Sequence, residues 1–174
     1  MRIRRVLSVL ATGLVVGVMG QAVLGACGSK VFVLTRGTRF ERPGARHEPA
    51  AIAIYAPSDS GFPHALATLP IVATLERAGY STTVVGTAAE LDAKLQRGGV
   101  DLLLIDLASA KVLDGRPPSA ASPAIVPVVF SESRADAAQA VAQYHCAVKS
   151  PSHSQSFFEA IDQALAERRA AKGR

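Results

Sequence analysis

Tryptophan is absent and aromatic residues make up only 5% of the 174 residues, so the chain has little with which to stack a base or a flavin. Cysteine is almost as scarce. Cys27 and Cys146 stand alone, which excludes a disulfide framework, and neither belongs to a C-x-x-C-H haem motif or to a zinc-binding spacing. No G-x-S-x-G elbow occurs, and a serine hydrolase therefore lacks support. Charge of one sign is also missing once the leader is set apart. Arg2, Arg4 and Arg5 account for three of the 19 basic residues, leaving 16 against 14 acidic ones. The remaining basic excess sits at Lys30–Arg46 and at Arg168–Arg174, which read as solvated flanks. No aromatics interleave them, and nucleic acid is not an expected partner.

The longest uncharged run is at the start. Residues 2–5 carry three arginines, and no charged residue follows from Val6 to Ser29. The run closes on Leu24-Gly25-Ala26-Cys27, which resembles the lipobox of bacterial lipoproteins. That resemblance implies a diacylglycerol on Cys27, cleavage before it, a domain outside the cytoplasm and a membrane partner through the lipid. The competing expectation is an uncleaved anchor, because 24 uncharged residues are enough to span a bilayer. Residues 28–49, rich in Gly, Pro and charge, read as a tether in which "KVFVLT" could add an edge strand and His47 is a solvated linker residue.

From Ala50 onward short apolar runs alternate with segments of helical spacing. The runs are "AAIAIYA", "YSTTVVG", "VDLLLIDL", "AIVPVVF" and "HCAVK". Leu69, Val72 and Leu75 share one helix face that stops at Gly79. Thr87 and Glu90 form a capping box for the next helix, with Ala88, Leu91 and Leu95 inward. Ser133 to Asp136 opens an Ala-rich helix, and Phe157, Ile161 and Leu165 mark the inner face of the last one. The crossover over 108–123, rich in Pro and Ser, reads as mostly loop. This alternation predicts an α/β fold: a doubly wound, five-stranded parallel sheet in the order 2-1-3-4-5, with any site at the carboxyl ends of the strands.

Residues 50–166 resemble bacterial response-regulator receiver domains, a flavodoxin-like fold. The likeness is densest over "TLERAGYSTTVVGTAAELDAKLQRGGVDLLLIDL". Asp101 and Asp106 match the two aspartates of the third strand, with Asp106 at the phosphoacceptor. "CAVKSP" resembles the fifth strand, so Lys149 matches the family's lysine. The departures fall on the chemistry. Where the family has an acidic pair that holds Mg²⁺, this chain has Tyr55, Ala56 and Pro57, and Asp59 comes late. The hydroxyl position after the fourth strand falls on Glu132, or with a one-residue slip on Ser131 or Ser133. Phosphoryl transfer relies on a metal to neutralise charge on the moving group, and a lone Asp106 is a poor octahedral site.

"APSDSGF" faintly resembles the phosphate loop of flavodoxins, yet Asp59 would repel an anion there and an exposed turn is the expected structure. Cys146 is expected to be a buried structural thiol. The resulting expectation is a degenerate receiver-like domain that catalyses nothing and uses no cofactor. It would bind or scaffold an envelope protein, with Asp106 and Lys149 facing each other as a salt bridge. Two alternatives remain: a phosphoacceptor on a transmembrane anchor, and a nucleotide- or flavin-like ligand binder at the strand ends.

Overall fold

The computed structural model describes residues 32–34, 47–113, 122–130, 138 and 154–173. Its elements run β1 (Phe32–Val33), β2 (Ala51–Tyr55), α1 (Phe62–Thr68), α2 (Ile71–Ala78), β3 (Ser81–Val85), α3 (Ala88–Arg97), β4 (Leu102–Asp106), α4 (Leu107–Leu113), β5 (Ala124–Val129) and α5 (Ser154–Lys172). All paired strands are parallel, and they lie in the order β1-β5-β4-β2-β3. The first four apolar runs of the α/β unit thus take the expected order 2-1-3-4.

The place beyond the fourth run is filled differently from expectation. Phe32 and Val33 pair with Val128 and Val129, and the Leu34 N–H donates to the Val129 carbonyl at 2.8 Å. Along that stretch the outer edge of β5 is therefore taken by β1. Residues 145–149 themselves, with Cys146 and Lys149, lie outside the described residues. So does the helix expected after Ser133, apart from Ala138.

Parallel strands joined by crossovers are covered on both faces, and their side chains alternate between two cores. Ile52, Ile54, Leu102, Leu104, Val126 and Val128 face α1, α2 and α5, where Phe62, Leu75, Phe157 and Ile161 complete the larger core. Ala53, Leu103 and Ile105 face α3 and α4, against Leu91 and Ala110. Phe157, Ile161 and Leu165 are all buried, as the spacing of the last helix predicts.

Local signals set most of the element ends. Thr87 Oγ1 accepts the Glu90 N–H at 3.2 Å while Glu90 reaches back to the Thr87 N–H, so the capping box is complete. These backbone donors, from Gly86 and Thr87, hold the Glu90 carboxyl below its ordinary range. Gly79 ends α2 at φ 102°, a conformation that favours glycine. Leu69, Val72 and Leu75 pack inward as expected, but only Val72 and Leu75 are helical, in α2, while Leu69 sits in the break after α1. Pro70 forces the residue before it out of the helical region, and Leu69 is extended at φ −121° and ψ 140°. Part of the expected loop after β4 is helical as well, since α4 takes up Leu107–Leu113.

The central strand sets the stability. Leu104 is fully buried between Ile54 and Val126, and Leu104→Ala should cost about 2–5 kcal/mol in a urea unfolding titration. A cost under about 1 kcal/mol would mean that this strand is not enclosed on both faces.

Candidate functional site

Parallel α/β sheets place ligands at the carboxyl ends of their strands, so Asp106 is the natural starting point. It is the last residue of β4 and directly precedes α4. Its Oδ1 accepts the Ala108 N–H at 2.9 Å. An aspartate there satisfies one of the first-turn N–H groups that a helix leaves without a partner. Asp106 is therefore the N-cap of α4, and it follows from the shortness of the strand-to-helix turn.

The loop after β2 is built from its own polar groups. Ser60 Oγ donates to the Pro57 carbonyl at 2.9 Å and accepts the Phe62 N–H at 3.3 Å, so this hydroxyl closes the turn and starts α1. Asp59 is exposed in the same turn. The loop then packs on the end of β5. Phe62 and Phe130 meet edge to face with ring centroids 4.7 Å apart, and a Cβ on Gly61 would lie 2.2 Å from Phe130 Cγ. Only glycine permits that approach.

This end of the sheet does not fit the Mg²⁺ that the receiver resemblance implies. β2 ends at Tyr55 and is followed by Ala56 and Pro57, and the carboxylate of Asp106 is turned to a helix N–H. Among the described residues no group of three or more His, Cys, Asp or Glu side chains is arranged to hold a metal ion. Ser131, Glu132 and Lys149 lie outside the described residues, and with them the expected Asp106–Lys149 contact.

Asp101, the other strand aspartate, is at the opposite end of β4. Its Oδ2 accepts the Ala51 N–H at 3.0 Å, and its Oδ1 pairs with Arg168 of α5. Arg168 also donates to the Ser122 carbonyl at 3.0 Å and to the Val100 carbonyl at 3.1 Å. One guanidinium thus ties the amino ends of β4 and β5 to the last helix, and through Asp101 reaches β2. Sequence reading places Arg168 on a solvated flank; its side chain is instead 13% exposed. A cavity of about 190 Å³ opens beside it, where Glu48, Asp101, Arg168, Arg169 and Lys172 converge. Arg169 pairs with Glu48, so charges of both signs already answer each other there.

His47 is also corrected. It is not a solvated linker residue: its Nδ1 lies 2.7 Å from Asp162 Oδ2, and its ring stacks on Phe158 and Tyr80 at 5.0 and 5.5 Å. The Tyr80 hydroxyl donates to the other oxygen of Asp162 at 2.7 Å. Burial first, and the Asp162 carboxylate second, push the Tyr80 phenol far above its ordinary value, so it remains a donor. No local pattern announces this cluster, because His47 and Asp162 are 115 positions apart.

Among the described residues no helix is long and apolar enough to cross a membrane. The Leu24–Cys27 motif lies outside the described residues.

The amino-end cluster makes a pH prediction. Partial burial opposes the charged form of Asp101, but the Ala51 N–H, Arg168 and Lys172 outweigh it and hold the carboxyl below its ordinary value of 3.8. A depressed acid contributes stability that is complete at neutral pH and lost as the pH falls through the folded-state value. Asp101→Asn should therefore flatten the loss of stability below about pH 4. Arg168→Ala should cost roughly 1–2 kcal/mol at neutral pH, discounted for the 39% exposure of the Asp101 side chain. Urea titrations across pH read both, and an unchanged acid limb in Asp101→Asn would contradict the assignment. No family model matches the chain, and no curated protein or solved structure proved similar to it.

Proposed function

We propose that this chain is a degenerate receiver-like, flavodoxin-like domain that binds or scaffolds a protein of the bacterial envelope without catalysis. A lipid on Cys27 would hold it on the outer side of a membrane. In this reading the receiver order 2-1-3-4 is kept, while Phe32–Val33 fill the fifth place beside Val128 and Val129.

The observation that carries the reading is the use made of Asp106. A phosphoacceptor must leave its carboxylate oxygens to a metal and to the incoming group. Here one oxygen is occupied by the Ala108 N–H, and β2 ends at Tyr55 with Ala56 and Pro57 following, none of which carries a carboxylate. The lipobox-like sequence supports the address independently, since outside the cytoplasm a receiver would be out of reach of ATP-fed kinases.

Beryllofluoride with Mg²⁺ mimics an aspartyl phosphate and separates this reading from a working phosphoacceptor. Amide NMR shifts of Asp106, Leu107 and Ala108 should stay unchanged when both are added. Saturable shifts centred on Asp106 would overturn the non-catalytic reading.

A further inference from the structure

β3 is an outer strand of the sheet, and among the described residues it pairs only with β2. The N–H and C=O of one strand residue point the same way, and successive residues alternate between the two sides. Here the Ser81 N–H donates to the Ala50 carbonyl at 2.9 Å, and the Val85 carbonyl accepts the Ala56 N–H at 2.8 Å. Ser81, Thr83 and Val85 therefore turn their backbone groups to β2, and Thr82 and Val84 turn theirs outward. The donors just beyond are already used. The Tyr80 N–H donates to the Leu75 carbonyl at 3.2 Å, and the Gly86 N–H to Glu90 Oε2 at 2.9 Å. The open edge is thus confined to Thr82 and Val84.

Strand edges that stay unpaired are commonly blunted by lysine, proline or a bulge. The strand "STTVV" contains neither charge nor proline, and it pairs residue for residue with β2 from Ser81 to Val85, without a bulge. Among the described residues Val84 is the one large apolar side chain left exposed, at 45%. Two outward residues flanking one inward residue suit an antiparallel pairing of the strand with its own copy. With Thr83 on the two-fold axis, Thr82 lies opposite Val84 of the second copy, and each such pair exchanges both N–H···O bonds. Every outward group of Thr82 and Val84 is then satisfied. Val84 is covered by the methyl of the facing threonine, and the two Thr83 side chains meet as the close, non-hydrogen-bonded pair. A strand without charge meets its copy without repulsion.

We infer that the β3 edge is a self-recognition surface, through which a second copy of this chain continues the sheet antiparallel and in register about Thr83. The interface needs neither a lipid on Cys27 nor any chemistry at Asp106, and it stands apart from the function proposed above.

Sedimentation equilibrium of the full chain in density-matched detergent should give twice the chain mass. Val84→Lys places a charge on the open edge and leaves the ladder with β2 untouched, so it should give the single mass with unchanged far-ultraviolet circular dichroism. Thr83→Cys should oxidise to a disulfide-linked dimer, because the Cα atoms of a non-hydrogen-bonded pair lie about 4.5 Å apart. Ser81→Cys should not exceed the parent chain, whose Cys27 and Cys146 set the background. Its counterpart is about 13 Å away along the strands, at roughly 3.3 Å per residue. A monomeric parent chain overturns the inference and leaves the edge to a strand of another protein. A dimer that survives Val84→Lys, or that cross-links equally through Ser81→Cys and Thr83→Cys, overturns the edge and its register. If Val84→Lys does not fold, the comparison of the two cysteine variants decides alone.

Discussion

The double pairing of β4 is the constraint on which the rest depends. Leu102 to Ile105 have no measurable exposure, hydrogen-bond to β2 on one side and β5 on the other, and alternate between two cores. A strand enclosed in this way cannot carry polar residues along its length, because each would lose its hydration without a partner. Its polar residues fall at its two ends, and both are used. Asp101 gathers the amino end through Ala51 and Arg168, and Asp106 starts the next helix at the carboxyl end.

This economy gives both aspartates of the strand a structural role. Any parallel strand that turns directly into a helix gains from an aspartate at the junction, and any strand that starts beside a neighbouring N–H gains from one at its entry. The two aspartates of "VDLLLID" therefore have structural work that does not require a metal or a phosphoryl group. Such a strand therefore does not by itself imply one chemistry, since widely used α/β architectures host many functions.

The sequence shows the four central strands, the Thr87–Glu90 capping box and the inner faces of the helices because each rests on neighbours within one or two turns. The Pro70 break was equally local, yet the continuous face of Leu69, Val72 and Leu75 concealed it. Arg168 and His47 could not be placed in this way. Their partners lie 67 and 115 positions away, and a basic tail or a linker histidine looks the same whether solvated or docked. The edge strand at Phe32–Val33 was weakly legible, since two residues carry no periodicity; what fixes it is the unpaired edge of β5. Asp106 was found for its resemblance, and only the turn into α4 reveals its partner.

The most direct test compares Asp106→Ala and Asp106→Asn in urea unfolding. If the carboxylate serves as a helix cap, the Ala variant should lose about 1 kcal/mol and the Asn variant should stay close to the parent, because its amide oxygen can accept the same N–H. Groups kept for chemistry are commonly held at a cost to stability, and their removal then stabilises the fold. A gain in stability in both variants would contradict the structural role of Asp106.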